Sequence, residues 1–176
     1  MNRHNITFLT LLTVELFLTR CASNHGRTSS DKWYEDTKAE ILKQSDLKPD
    51  STALMYNEDS TFTKEHYFSA GHEFHLKGYN KGILRLEIHY SKDGNFELRR
   101  EICDNGNFGF EGIVYKDHFY GLSTWRYCDG QIHHQGIRHN GKKIGVWKKF
   151  DESGKQIEET DYKNTELLDS MPTLTK

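Results

Sequence analysis

Leu84, Leu86, Ile88 and Tyr90 alternate with Arg85, Glu87 and His89, a period of two that buries one face of a strand and wets the other. After Ser91-Lys92-Asp93-Gly94 the alternation resumes with Phe96, Leu98 and Ile102, interrupted by Arg100. The two runs predict a β-hairpin. Turn pairs continue at Asn105-Gly106, Lys116-Asp117, Asp129-Gly130, Asn140-Gly141, Ser153-Gly154 and Lys163-Asn164, about one every twelve residues. Glycine adopts the positive φ of hairpin turns without steric cost, and Asn and Asp tolerate it. One strand per dozen residues means one hairpin per two dozen.

The glycines carry that longer period independently. Gly106, Gly130 and Gly154 are spaced by 24, as are Gly112 and Gly136, and Gly121 and Gly145. Read as turn glycines of one repeat, they predict an all-β run of repeated β-hairpins over residues 55–164. Strand 119–127 puts Phe119, Trp125 and Tyr127 on one face. Strand 144–150 puts Ile144, Val146 and Phe150 on one face and Trp147 on the other. Such rings interlock between neighbouring hairpins, and Trp125, Tyr127, Trp147 and Phe150 also form the candidate binding surface.

Only 35% of the 176 residues are hydrophobic, and 12% are aromatic. That suits a thin sheet, because one large ring buries roughly 150–250 Å². The net charge of −2 lacks the basic excess that nucleic-acid binding uses, so no nucleic-acid partner is expected.

Residues 1–21 read as a signal peptide, with Arg3 and His4 ahead of the run ITFLTLLTVELFLT at residues 6–19. The end of the run, Leu18-Thr19-Arg20-Cys21-Ala22-Ser23, resembles the lipobox of bacterial lipoproteins. That resemblance implies lipid attachment at Cys21 and a location on the cell envelope facing the periplasm, the alternative being secretion. Residues 22–54 read as a flexible tether with one short helix over 31–44, stopped before Pro49. The tail at 165–176 is expected to cover the final hairpin.

The remaining chemistry is sparse. His72 and His75, and likewise His133 and His134, sit at spacings that point to opposite faces of a strand, so no metal site is expected. Cys103 and Cys128 occupy near-equivalent places in next-but-one strands, roughly 9–10 Å distant if neighbours lie about 4.8 Å apart. No disulfide is expected between them. No nucleophile elbow, phosphate loop or zinc-protease helix occurs, so no catalytic residue and no cofactor is expected.

The stretch Gly145-Val146-Trp147-Lys148-Lys149-Phe150-Asp151-Glu152-Ser153-Gly154-Lys155 resembles the core of MORN repeat variants, as in the YwqK-family antitoxin-like proteins. Residues 121–130 form a degenerate copy with its aromatics at Trp125 and Tyr127. The resemblance is carried by residues 112–164 and implies an elongated antiparallel meander of β-hairpins that serves as a non-enzymatic protein-interaction module with a protein partner. The alternative is an immunity protein or antitoxin that binds a cognate toxin. A weaker alternative is a metal-binding or hydrolytic lipoprotein.

Overall fold

The structure, a computed structural model, describes residues 24–174. The leader and Cys21 lie outside the described residues. Helix α1 (Asn24–Leu42) runs into a 3-10 turn at Lys43–Asp46, and strands follow to the end of the domain. They are β1 (Ser51–Tyr56), β2 (Phe62–Ser69), β3 (His72–Asn80), β4 (Ile83–Tyr90), β5 (Phe96–Ile102), β6 (Phe108–Tyr115), β7 (His118–Arg126), β8 (Ile132–His139), β9 (Lys142–Phe150) and β10 (Gln156–Asp161). Among the described residues the ten strands form one sheet in chain order, each antiparallel to the next. A second 3-10 turn, Thr165–Asp169, closes the chain's path. No helix among these residues is long and apolar enough to cross a membrane.

Two turn chemistries build the array. At Ser91–Gly94, Cys103–Gly106, Tyr127–Gly130 and Asp151–Gly154 the fourth residue's N–H donates to the first residue's carbonyl at 2.9–3.0 Å, and the glycine has positive φ. This is the type I turn followed by a left-handed bulge residue. Ala70-Gly71, Lys81-Gly82, Lys116-Asp117 and Asn140-Gly141 instead have positive φ at both residues, as type I′ turns require. From β5 to β10 each turn type keeps to its own end of the sheet, which is the physical content of the 24-residue period. Earlier, the types exchange ends: a type I′ turn joins β3 to β4 and a type I turn joins β4 to β5. The repeat therefore fades toward residue 60 although the hairpins continue to Ser51.

Of the seven glycines read as turn residues, only Gly106, Gly130 and Gly154 lie in turns; the other four lie within strands. Gly121 and Gly145 have φ of 69° and 59°. A Cβ on Gly121 would lie 2.5 Å from the Trp33 ring of α1, so this column seats what covers the sheet. Gly112 and Gly136 face the opposite side. A Cβ there would lie 2.8 Å from Phe110 and 2.2 Å from Trp147, and the missing side chain is what lets those rings lie flat.

Residues 24–42, expected as tether and short helix, are helical throughout, and from Ser30 on the helix packs on the sheet. Ser30, Tyr34, Thr37 and Ile41 recur at helical spacing and are all buried. Two of the four are small and polar, so the stripe is inconspicuous in sequence. The apolar surface that the segment lacks alone is supplied by Phe96, Leu98 and Ile113 of the sheet, which form one core cluster with Tyr34 and Ile41. The tail folds over the same face: Leu168 packs on Ile137 and Ile144, and the Pro172 carbonyl accepts a hydrogen bond from Trp33 Nε1 at 2.7 Å. It thus covers β8 and the β9 arm of the final hairpin.

Cys103 and Cys128 are disulfide-bonded, with Cα atoms 5.7 Å apart, contrary to the strand-spacing expectation. Both lie in turns just beyond their strands, where the chain leaves the sheet's regular spacing. Asn105 and Asn107 both donate side-chain hydrogen bonds to the Cys128 carbonyl, at 2.5 and 2.7 Å, drawing the two turns together. The strand between them offers Gly109, over which Cys103 Sγ lies. Closing this loop constrains the unfolded chain, so reduction or Cys128→Ser is expected to lower stability by roughly 2–4 kcal/mol. Denaturant midpoints measured with and without reductant check this, an unchanged midpoint counting against the bond.

Candidate functional site

With α1 and the tail on one side, the opposite face of β6–β10 has no covering element among the described residues. Its side chains must bury one another. Phe110 meets Phe119 edge-on at 5.4 Å and Trp125 at 4.6 Å; Trp125 stacks on His134 at 4.4 Å and lies 5.9 Å from Trp147. The rings rest on a floor of small residues, since Ser123 pairs with Gly112 on one side and Gly136 on the other. Trp147 is only 5% exposed, and its Nε1 donates to the Ile137 carbonyl at 3.1 Å.

Cations are threaded through this layer. The Arg138 guanidinium lies 5.9 Å from the Phe119 centroid, 5.4 Å from Trp125 and 5.3 Å from Trp147, while Lys143 Nζ sits 4.5 Å over Trp147 and 5.1 Å over Tyr162. These distances are those of cation–π contacts. Beside them opens a pocket of about 240 Å³ lined by His133, His134, Lys143, Trp147, Lys149 and Tyr162, among others. Burial lowers the His134 pKa to about 4, and the neighbouring His133, Lys143, Lys149 and Arg138 push it the same way. The face thus presents aromatic edges and positive charge together.

Of the four predicted surface aromatics, the structure brings Trp125 and Trp147 together on this face. Tyr127 stands at its margin, its ring 4.7 Å from His133 and its hydroxyl donating to the Phe150 carbonyl at 3.0 Å. The Phe150 side chain lies on the other face with Ile144 and Val146. Arg138 and Lys143 escaped the sequence reading, although the Asn140-Gly141 turn places them directly opposite each other. His133 and His134, expected on opposite faces, approach to 3.2 Å between Nδ1 atoms. A bulge between Trp125 and Arg126 leaves His133 outside the register.

On the helix side a second group of polar residues converges. Glu111 Oε1 accepts from Tyr34 Oη at 2.8 Å and from Lys38 Nζ at 2.7 Å, and its Oε2 accepts from Arg100 Nε at 2.8 Å. Burial works to raise the Glu111 pKa; the bonds from Lys38, Tyr34 and Arg100 outweigh it and lower it. Across from Arg100, Glu87 lies between His75 and His89. Hydrogen bonds from His75 and then His89 hold the Glu87 carboxyl far below the usual carboxylate range. The edges of the sheet also differ. β1 is exposed along its whole length and carries no charge, whereas β10 carries Glu158, Glu159 and Asp161.

No protein-family model matches the chain, and no curated protein does. Among solved structures, an S. aureus TarM mutant in complex with fondaparinux, alpha-GlcNAc-glycerol and UDP aligns at 10% identity with a TM-score of 0.34, and TarM at 10% with 0.32. Each alignment covers 81% of this chain and 27% of the other. At these TM-scores the likeness bears on neither activity nor partners.

Two outcomes are expected of this face. Gly136→Ala drives a methyl into the Trp147 ring and costs about 1–3 kcal/mol as an overpacked contact, read from thermal melts together with a tryptophan emission shift. His134 has a folded pKa below that of the unfolded chain, about 6.5, so the unfolded state takes the proton first. Stability falls as pH drops from about 6.5 toward about 4, and His134→Gln flattens that segment of the pH–stability curve.

Proposed function

We propose that the chain is a non-enzymatic protein-interaction module of the cell envelope, built from MORN-like hairpin repeats, whose uncovered face on β6–β10 holds an acidic segment of a partner protein. The observation that carries this reading is the meeting of aromatic edges with Lys143, Lys148 and Lys149 around one opening, where Glu158 is the one acidic neighbour and Arg138 lies over the Trp147 ring beside it. Carboxylates satisfy such cations, and partly buried rings accept apolar neighbours without reorganising. The Cys103–Cys128 bond supports an oxidising compartment outside the cytosol, in keeping with a lipid anchor at Cys21.

A second route of association rests on β1. Its residues Leu54, Met55 and Tyr56 are 53%, 58% and 61% exposed, and the strand has no charge or proline to discourage pairing. A partner strand added there would extend the sheet through main-chain hydrogen bonds.

Site-specific photocrosslinking in cells distinguishes the two. A crosslinker replacing Tyr162 on the aromatic face is expected to trap one envelope protein, and Lys143→Glu with Lys149→Glu is expected to abolish the product while circular dichroism stays unchanged. Trapping only from position 55 moves the reading to the β1 edge. Mass spectrometry of the same preparation is expected to show a diacylglyceryl group on Cys21, and an unprocessed chain recovered from the cytosol would remove the envelope location.

A further inference from the structure

We propose that His75, Glu87 and His89 form a binding site for one divalent transition-metal ion of the zinc class, on the helix-covered side of β3 and β4. One ligand atom from each residue lies within 4.8 Å of the others. His75 Nε2 is 3.2 Å from Glu87 Oε1, and His89 Nε2 is 3.5 Å from Glu87 Oε2. As hydrogen bonds these are long beside the usual charge-assisted length of about 2.7–2.9 Å, which the same sheet reaches between His66 Nδ1 and Glu73 Oε1 at 2.7 Å. The two separations run to different Glu87 oxygens, and a tetrahedral ion with ligand arms of about 2.1 Å would draw the three ligand atoms in to edges of about 3.4 Å.

The backbone is arranged for this meeting. The two-residue turn at Lys81-Gly82 sets Asn80 opposite Ile83, and an unbroken register from there would set His75 opposite Ile88. A bulge between Gly78 and Tyr79 shifts the pairing by one, so that His75 faces His89 and Lys77 faces Glu87. Bulges re-aim side chains beside functional sites. The imidazole rings are then stacked, 4.3 Å apart at an interplanar angle of 10°, with both Nε2 atoms near the same carboxylate; because each lone pair lies in its ring plane, holding one ion turns the rings out of this stack. Tyr67 stacks on the outer side of His75 at 5.5 Å.

Two imidazoles and one carboxylate make a three-ligand set that leaves a fourth position to water. His89 is 6% exposed and anchors the inner side, while the His75 and Glu87 side chains keep 15% and 17% of their surface in solvent. An ion therefore has a path in. Arg100 Nη1 stands 3.8 Å from Glu87 Oε2 but commits its Nε to Glu111 at 2.8 Å. The site lies apart from the aromatic face and does not depend on what that face binds.

The test uses the full chain stripped with a chelator, then titrated with Zn²⁺ against a chromogenic competitor and with Co²⁺ by visible absorption. One ion per chain and a tetrahedral Co²⁺ spectrum are expected. Glu87→Gln and His89→Gln should each weaken binding by more than the 10–100-fold that outer-shell changes typically cost, while His133→Gln with His134→Gln leaves it intact. Because His89 is buried, ¹⁵N-imidazole NMR of the unmutated chain stands behind the variants: Zn²⁺ must move the Nε2 resonances of His75 and His89. Absence of stoichiometric binding, or shifts confined to His133 and His134, overturns the proposal.

Discussion

A sheet one layer thick has two faces and no facing sheet to bury either of them. Every prominent feature of this protein answers that constraint. On one side the answer is external: α1 and the tail lie across β4–β9, seated where Gly121 has no side chain to obstruct Trp33. Glu111 then fixes the helix through Tyr34 and Lys38 while holding Arg100 in the sheet. On the other side the answer is internal. Rings lie flat over a floor of Gly112, Ser123 and Gly136, and long cationic side chains fill the gaps between them.

The two solutions lead to different chemistry. A face that buries itself keeps its upper edges in solvent, so aromatic and positive groups remain available beside each other. A face covered by a helix instead gathers polar residues into partly dry networks, as with Glu111 and with Glu87 between its histidines. Each strand touches mainly its neighbours, so stability accumulates along the array rather than around one centre. The Cys103–Cys128 bond is the exception: it joins turns two strands apart.

Much of the fold was legible because hairpin turns write their geometry into local sequence. Asp93-Gly94 through Lys163-Asn164 all fall at strand ends, and the alternation in β4 and β5 gave both strands. What stayed hidden depends on contacts between distant segments. The α1 stripe reads as polar because Ser30 and Thr37 are buried for their small size. A bulge defeated the face assignment at His133, since one extra residue reverses every side chain beyond it. The glycine columns were visible, but their roles differ: one makes turns, one seats the helix, and one makes room for rings. The disulfide was missed because spacing between strands says little about turns that lean toward each other.

Gly109 carries a consequence for how this sequence can change over generations. A Cβ at that position would stand 3.3 Å from Cys103 Sγ, so the crossing of the bond over β6 and the bare backbone beneath it belong together. Three positions are thereby bound into one heritable unit. Losing either cysteine frees residue 109 to accept a side chain, and once it has done so, a restored bond must give by a few tenths of an ångström to cross it. Side-chain size at residue 109 and the covalent link are thus coupled through a single tight contact.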